Sequence, residues 1–530
     1  MAAVVVWALV VPSALAYATV AGVPVQYGLY AIPLAAVAYA VFTQSRHVYT
    51  GPSSTVAAVS AASIATLATA GSPAYITLTV FLAVFVGVFL VVMGVLRMGF
   101  LAKYLAKPVL DGFVVGLVIF ISIDQLPKIF GVPKAEGNAI QVLFGILADF
   151  QLWNYLTMAV GFASVAALFL LAKYVPRAPS ALLVTSVAIL LADLFNLSAR
   201  GVTVVGPIPT GLPSYDLAPV SAEQLLGLIP AAFAVLIVGF AESVAIAKSY
   251  GSRFGYRIDP SQEMIAQGAA NLGSAGMTGF AVDASLSKTA ANVAAGGKTP
   301  MVLLVVAVLG LFTLTFLAGI FTDLPQATLG AIVIFALFHS IGFHPLARYR
   351  KARLPDFWPA LGAIVGVLVF GILGGLVIGV ILSLIILMLR IDRPHFAILG
   401  RNETGAIYGD LEVPGFTPVP GVLIYRFDAP LIFFNADRFE EQVRKNFERT
   451  QPRPHAVVID FEVIGQTDTT ATETLRELKK WLEARGAVLV LARVTRKVLD
   501  FLRRDGALEA IGEDKVYPTV QSAVEAYERP

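Results

Sequence analysis

Three polar groupings interrupt otherwise apolar sequence. Ser53, Ser54 and Thr55 stand in GPSSTVAAVSAAS (51–63), and Ser285, Ser287, Lys288 and Thr289 in ASLSKTAANVAAG (284–296). Glu242 is the acid of IPAAFAVLIVGFAESVAIAK. In the first two, hydroxyls stand where a run of small residues begins. A helix N-terminus leaves N–H groups unpaired and carries roughly half a positive charge, so two such ends facing one another would hold an anion without any full charge. Lys288 would add positive potential to that pocket. A cation is disfavoured at a helix N-terminus and costs about 2.5–3.5 kcal/mol at a bilayer centre, so its presence suggests a purpose. A carboxyl taken out of water favours its neutral form, so Glu242 could take up a proton.

Each of these readings has a plainer counterpart. Small hydroxyl residues let helices pack closely in lipid, and a lysine near a helix end can snorkel to the interface. Glu242 could instead make a structural hydrogen bond or ligate a cation. Tyr17, in VVPSALAYA after Pro12 and Ser13, could line the pocket or pack as an aromatic. Pro12 is expected to break backbone pairing mid-span, as in discontinuous transporter helices. Asp283 and Asp124 read as solvated residues at segment ends.

The surrounding elements decide where these groups lie. Of the 530 residues 57% are hydrophobic and 14% charged, with mean hydropathy +0.78; soluble domains carry about 25% charged residues. Residues 75–96, 299–322 and 357–389 carry no charge, and about 20 apolar residues suffice to cross a bilayer. The chain therefore reads as a polytopic α-helical membrane protein. The opening residues have no basic flank and lead directly into a hydroxyl motif, so they read as a first span rather than a signal peptide. With no cysteine, disulfides, thiolate metal sites and cysteine nucleophiles are excluded. No nucleophile–base pair or metal-ligand spacing appears, so neither an enzyme nor a metal site is expected. No cofactor or nucleic-acid partner is expected.

Apolar segments fall at about 2–20, 27–43, 53–70, 74–97, 108–127, 153–172, 179–197, 225–248, 261–275, 285–296, 300–322, 326–343, 356–373 and 374–392. The segments 261–275 and 285–296 are short; twelve helical residues reach about 18 Å against a hydrocarbon core of about 30 Å. Sixteen Lys and Arg follow even-numbered segments, Arg177 and Arg353 among them, and only Lys128, Lys134 and Arg200 occupy the opposite loops. That asymmetry places both termini in the cytoplasm. Fourteen spans divide into seven and seven, and an odd repeat inverts the second half, about 222–395, relative to the first, about 1–200. The two hydroxyl clusters then open the third and tenth segments, at corresponding repeat positions.

From residue 396 the pattern becomes that of a soluble α/β domain. GVLIYRFDAPLIFFNA, HAVVIDFEVIG and AVLVLARV read as strands, and DRFEEQVRKNFERT and TLRELKKWLEARG as amphipathic helices.

These motifs resemble the SulP anion transporters, the sulfate permease or solute-carrier-26 type. The resemblance rests on VPSALAYATVAGVPVQYGLYA (11–31), FTQSRHVYTGPSS (42–54), QEMIAQGAANLGSAGMTGFAVDASLSKTAANVAAGGKT (262–299) and LPQATLGAIVI (324–334). It covers nearly the whole chain, and the tail resembles the STAS domain that the family carries. The resemblance implies fourteen spans in a 7+7 inverted repeat, with a core domain moving against a gate domain. The short third and tenth helices would hold the anion, with the first and eighth contributing. Residues 1–395 would form the transporter and 396–530 a cytoplasmic STAS domain. Carried over here, Ser53, Ser54, Thr55, Ser285, Ser287, Lys288 and Thr289 fall on the anion site, with Tyr17 and Glu242 beside it. Lys288 stands where the family often has arginine, which keeps the charge but not the bidentate geometry. Glu242 resembles the coupling-ion position of prokaryotic members. Members usually begin with a cytosolic stretch, whereas this chain starts inside its first span, which suggests a trimmed or misassigned start. In the tail, the Asp-Ser/Thr-x-Gly element appears as Asp468-Thr469-Thr470-Ala471, with alanine in place of the family's turn glycine, which argues against phosphoregulation at Thr469 or Thr470. Asp468 reads as a helix N-cap, the alternative being that Asp468, Thr469 and Thr470 are the regulatory positions the resemblance implies.

The expectation is a secondary anion transporter of the bacterial inner membrane, a homodimer moving sulfate, bicarbonate or a dicarboxylate with a proton. The choice of symport rests on Glu242 alone. The alternatives are an anion exchanger, an anion channel or electromechanical protein, or a sodium-coupled bicarbonate symporter. A further alternative makes the tail chiefly a docking module for a cytoplasmic protein.

Overall fold

The computed structural model describes all residues except 104–106, 136, 176–178, 341–343, 353, 406 and 529–530. Arg177, Arg353 and the end of the segment expected over 326–343 lie outside the described residues. The chain forms two compact units, Met1–Ser383 and Leu384–Pro530.

The first unit is helical. In chain order it contains α1 (Ala2–Val20), α2 (Gln26–Tyr30), α3 (Pro33–Phe42), β1 (Thr50–Gly51), α4 (Ser54–Ile64), α5 (Pro73–Val95), α6 (Lys107–Phe130), α7 (Ala139–Ala148), α8 (Tyr155–Tyr174) and α9 (Ser180–Leu194). After a long loop come α10 (Ala222–Arg253), α11 (Pro260–Ala275), β2 (Asp283–Ala284), α12 (Leu286–Ala294), α13 (Met301–Phe312), α14 (Gln326–Ser340), α15 (His344–Ala352) and α16 (Leu354–Asp392), whose last residues, from Leu384, belong to the second unit. Among the described residues six helices are long and apolar enough to cross a bilayer unaided: α1, α5, α6, α8, α10, and α13 with the turns that extend it to Asp323. Their outward faces carry exposed apolar side chains such as Val92, Phe162, Phe169, Val305 and Phe316, as lipid contact requires.

Sequence and structure differ instructively in places. Pro12 does not break α1, which continues to Val20. The Ser13 hydroxyl donates to the carbonyls of Leu9 (2.7 Å) and Val10 (3.0 Å) in the turn around the proline, while the carbonyl that loses its helical donor to Pro12 is that of Ala8. The helix α7 lies outside every expected segment; its ten residues are capped by Asn138 and Gln141, each bonding the other's backbone N–H. The long α16 is interrupted at Gly371, whose φ of 77° suits glycine. Gly366 meets Gly375, and Gly362 meets Leu382, so the chain doubles back there into two antiparallel helices.

The second unit contains β3 (Phe396–Asn402), β4 (Tyr408–Asp410), β5 (Phe416–Thr417), β6 (Val422–Phe427), α17 (Ala436–Arg449), β7 (Ala456–Asp460), α18 (Thr469–Glu483), β8 (Val488–Ala492), α19 (Arg496–Arg504), α20 (Ala507–Ile511), β9 (Val516–Tyr517) and α21 (Val520–Tyr527). Its sheet runs β4-β3-β6-β7-β8-β9, with β5 also on β3. The pairs β6–β7, β7–β8 and β8–β9 are parallel, whereas β3 runs antiparallel to β4, β5 and β6. Phe439, Val443, Leu475, Leu478 and Leu502 from the intervening helices cover one face, and Val520, Ala523 and Val524 of α21 cover the other. Parallel strands buried on both faces explain the near-continuous apolar run AVVID in β7.

Candidate anion site

The site is built around two short antiparallel strands. β1 pairs with β2, setting Thr50 opposite Ala284 and Gly51 opposite Asp283, and the Ser285 amide donates to the Tyr49 carbonyl at 3.0 Å. Each strand leads at once into a short helix, α4 after β1 and α12 after β2, of 11 and 9 residues. The pairing therefore brings two helix N-termini side by side inside the unit, each with unpaired N–H groups.

A polar face of α11 holds this arrangement. Glu263, Gln267, Asn271 and Ser274 follow the i, i+4, i+8, i+11 spacing of one helical face and are essentially unexposed. The Glu263 carboxylate accepts from the Tyr39 hydroxyl and, at 3.1 Å, from that of Thr43. Gln267 accepts from Thr50 Oγ1 at 3.4 Å and donates to the Val282 carbonyl at 2.6 Å, so one side chain touches both strand segments. The Asn271 side chain donates to the Val282 carbonyl (2.9 Å) and accepts from the Val282 amide (3.0 Å), and Ser274 donates to the Phe280 carbonyl at 2.6 Å. These bonds satisfy the backbone of an irregular segment that would otherwise be unpaired in an apolar interior.

The side chains singled out from sequence cluster here. Ser53 is the N-cap of α4 and accepts from the Val56 amide at 3.4 Å. Ser54, the first residue of α4, stands beside the Tyr17 hydroxyl. Ser285 precedes α12 without capping it, and its hydroxyl lies 3.3 Å from that of Ser287. Thr289 is committed to structure: its hydroxyl accepts from the Tyr49 amide at 3.0 Å. Lys288 is 3% exposed and does not snorkel. Its Nζ donates to the Pro52 carbonyl at 3.4 Å, just before the α4 N-terminus, and stands 4.7 Å from the Tyr17 ring centre. Glu242 projects from α10 toward Thr55 and Lys288, and its Oε2 is sealed from solvent with no hydrogen-bond partner among the described residues.

One residue corrects the sequence reading. Asp283 is not solvated: it has no exposed surface, and it faces Glu242, Ser53 and Lys288. Its position in β2, opposite Gly51, directs it inward, and a two-residue strand leaves no periodicity from which that could be read. Asp124, by contrast, is partly exposed and paired with Lys134. In the second unit Asp468 caps α18 through the Ala471 amide at 3.0 Å, and its other carboxylate oxygen accepts from the Phe433 amide at 2.8 Å. Thr469 and Thr470 are exposed in the first turn of that helix.

A helical membrane unit with paired half-helix N-termini, followed by a small α/β unit, defines an anion transporter class, and comparisons with known proteins agree. Residues 1–358 match the model of the sulfate permease family and residues 416–523 that of the STAS domain. A probable sulfate transporter of Mycobacterium tuberculosis is 34% identical over 532 residues, covering 100% of this chain and 95% of that protein. High affinity sulfate transporter 2 of Stylosanthes hamata is 28% identical over 548 residues, covering 98% and 82%. Among solved structures, the murine Solute Carrier 26 family member A9 anion transporter in the inward-facing state superposes with a TM-score of 0.90 at 22% identity, over 99% of this chain and 90% of that one. The transmembrane domain of a cyanobacterium bicarbonate transporter, BicA, gives 0.65 at 20% identity, over 72% and 96%. The chain belongs to the sulfate permease family, whose members are anion transporters rather than enzymes.

Proposed function

We propose that this chain is a secondary transporter that moves a small oxyanion or carboxylate of the sulfate, bicarbonate or dicarboxylate class together with a proton. Sulfate is the first candidate, because the relatives matched along the whole chain are named as sulfate transporters. The observation that carries the reading is Lys288, held unexposed between the α12 and α4 N-termini with Glu242 facing it. Ser53, Ser54, Thr55, Ser285 and Ser287 supply hydroxyls at those termini, Tyr17 closes the pocket, and Thr289 fixes its backbone. The anion is held by dipoles and one cation, and Glu242 carries the coupled proton.

In this reading residues 1–395 form the transporter, with fourteen spans in a 7+7 inverted repeat. A core containing α4 and α12 slides against a gate, while residues 396–530 form a cytoplasmic STAS domain. The protein is a homodimer of the bacterial inner membrane with both termini cytoplasmic. The test is uptake of radiolabelled sulfate, bicarbonate and succinate into proteoliposomes with and without an imposed pH gradient. Uptake of one of these that responds to the gradient, and loses the response in Glu242→Gln, supports the reading. Uptake indifferent to both the gradient and the substitution refutes the coupling, and unchanged affinity in Lys288→Ala refutes the site.

A further inference from the structure

Asp283 is a buried acid with no role in the reading above. Neither of its carboxylate oxygens has a hydrogen-bond partner among the described residues. The groups that face it are Glu242 from α10, Lys288 from α12, the Ser53 hydroxyl before α4, and Tyr17 from α1. Gly239, one helical turn before Glu242, packs against it: a Cβ there would stand 3.4 Å from the Asp283 Cβ and 3.0 Å from Val56.

Formal charge makes the arrangement consequential. Two carboxylates and one lysine sum to one negative charge, and two helix N-termini of roughly half a positive charge each bring the locality only to about neutral. An arriving anion adds negative charge to a volume from which water is excluded. Neighbouring carboxylates cannot both remain ionised and unpaired under those conditions, because like charges and desolvation both oppose it. The anion must therefore enter with compensating cations, and Asp283 offers two free oxygens on which one can sit.

We propose that Asp283 is a second coupling carboxylate, taking up one monovalent cation, a proton or Na+, while Glu242 takes up another, so that a divalent anion crosses with two cation equivalents. The cation binds on the Asp283 carboxylate as the anion enters and leaves on the opposite face, with no covalent change to the anion. The inference rests on the proposed anion site and on the coupling role proposed there for Glu242.

The experiment uses the full chain in liposomes with the membrane potential clamped at zero by valinomycin and equal potassium. The sulfate concentration ratio at which net flux stops is read across imposed pH gradients, and separately across Na+ gradients. Two coupled cations of one kind give a ratio that changes about 100-fold per tenfold gradient of that cation, a proton with a Na+ gives about tenfold in each arm, and a single coupled cation gives about tenfold in one arm only. Asp283→Asn is expected to reduce the dependence to about tenfold, whereas Asp283→Glu retains the parent value. The arm that responds, pH or Na+, identifies the cation. A parent dependence that amounts to only tenfold over the pH and Na+ arms together, or an active Asp283→Asn protein with unchanged dependence, overturns the proposal. Glu242→Gln, measured alongside, reports on Glu242 independently. If Asp283→Asn does not transport, sulfate affinity of the detergent-solubilised variant is measured across pH and Na+. Weakened cation dependence supports the role, and dependence equal to the parent's overturns it.

Discussion

The ammonium of Lys288 lies 4.7 Å from the ring centre of Tyr17 and 3.4 Å from the carbonyl oxygen of Pro52. One cation thereby joins the first helix, the lead-in to α4 and the first turn of α12. A charge-assisted hydrogen bond is worth about 1.5–3 kcal/mol, which corresponds to roughly 10- to 150-fold in affinity. Lys288→Ala is expected to raise KM for the anion within that range, and Lys288→Arg to raise it less. Tyr17→Leu, which removes a cation–π contact worth about 0.5–2 kcal/mol, falls between them, and Tyr17→Phe, which keeps the ring, costs least. Initial-rate uptake measurements check the order.

The α11 polar face is expected to govern the site without touching the anion. Replacing Asn271 by Leu strands the amide of Val282, whereas Gln267 still reaches the carbonyl. An unsatisfied buried polar group costs about 1–3 kcal/mol, so the purified protein should unfold at lower temperature and lose transport. Gln267→Leu frees Thr50 and leaves Val282 to Asn271 alone; it is expected to weaken anion affinity in protein that remains folded, because the two strand segments lose their common anchor. Thermal unfolding and KM, measured on the same preparations, separate the two effects.

Much of this was legible in sequence, for identifiable reasons. The hydroxyl openings at 53–55 and 285–289 and the uncompensated Lys288 stood out because each violates the apolar background. The boundary near residue 373 was legible from glycines, and the chain does turn at Gly371. What escaped were features fixed by the meeting of distant segments. Asp283 gains its surroundings from β1, α10 and α12 together. The α11 residues looked like part of a weak, short apolar segment, although Glu263, Gln267, Asn271 and Ser274 are periodic on one face. Their regular spacing was the signal that could have been found; their partners Tyr39, Thr50 and Val282 could not.

In the STAS unit, Asp468 serves two segments at once, capping α18 and anchoring the Phe433 amide. Loss of an N-cap alone costs about 0.5–2 kcal/mol. Asp468→Ala is therefore expected to loosen the 428–435 stretch and accelerate its cleavage in limited proteolysis of the full-length protein. Asp468→Asn retains an acceptor and should be cleaved at a rate closer to the parent.

Gly28 makes a final case, because it connects packing to the site through backbone alone. A Cβ on Gly28 would lie 2.0 Å from the Ala14 carbonyl oxygen and 2.5 Å from its carbon. No side-chain rotation can relieve that contact, so α1 must move away from α2. Tyr17 lies one helical turn beyond Ala14, and the displacement would carry its ring away from Lys288. Overpacking of this kind costs about 1–3 kcal/mol. Gly28→Ala is expected to lower the unfolding temperature and raise KM for the anion, whereas Gly319→Ala, whose Cβ would meet nothing within 4 Å, should alter neither. If Gly28→Ala lowers stability but leaves KM at the parent value, α1 does not transmit its position to the site, and Tyr17 acts as packing rather than as a wall of the anion pocket.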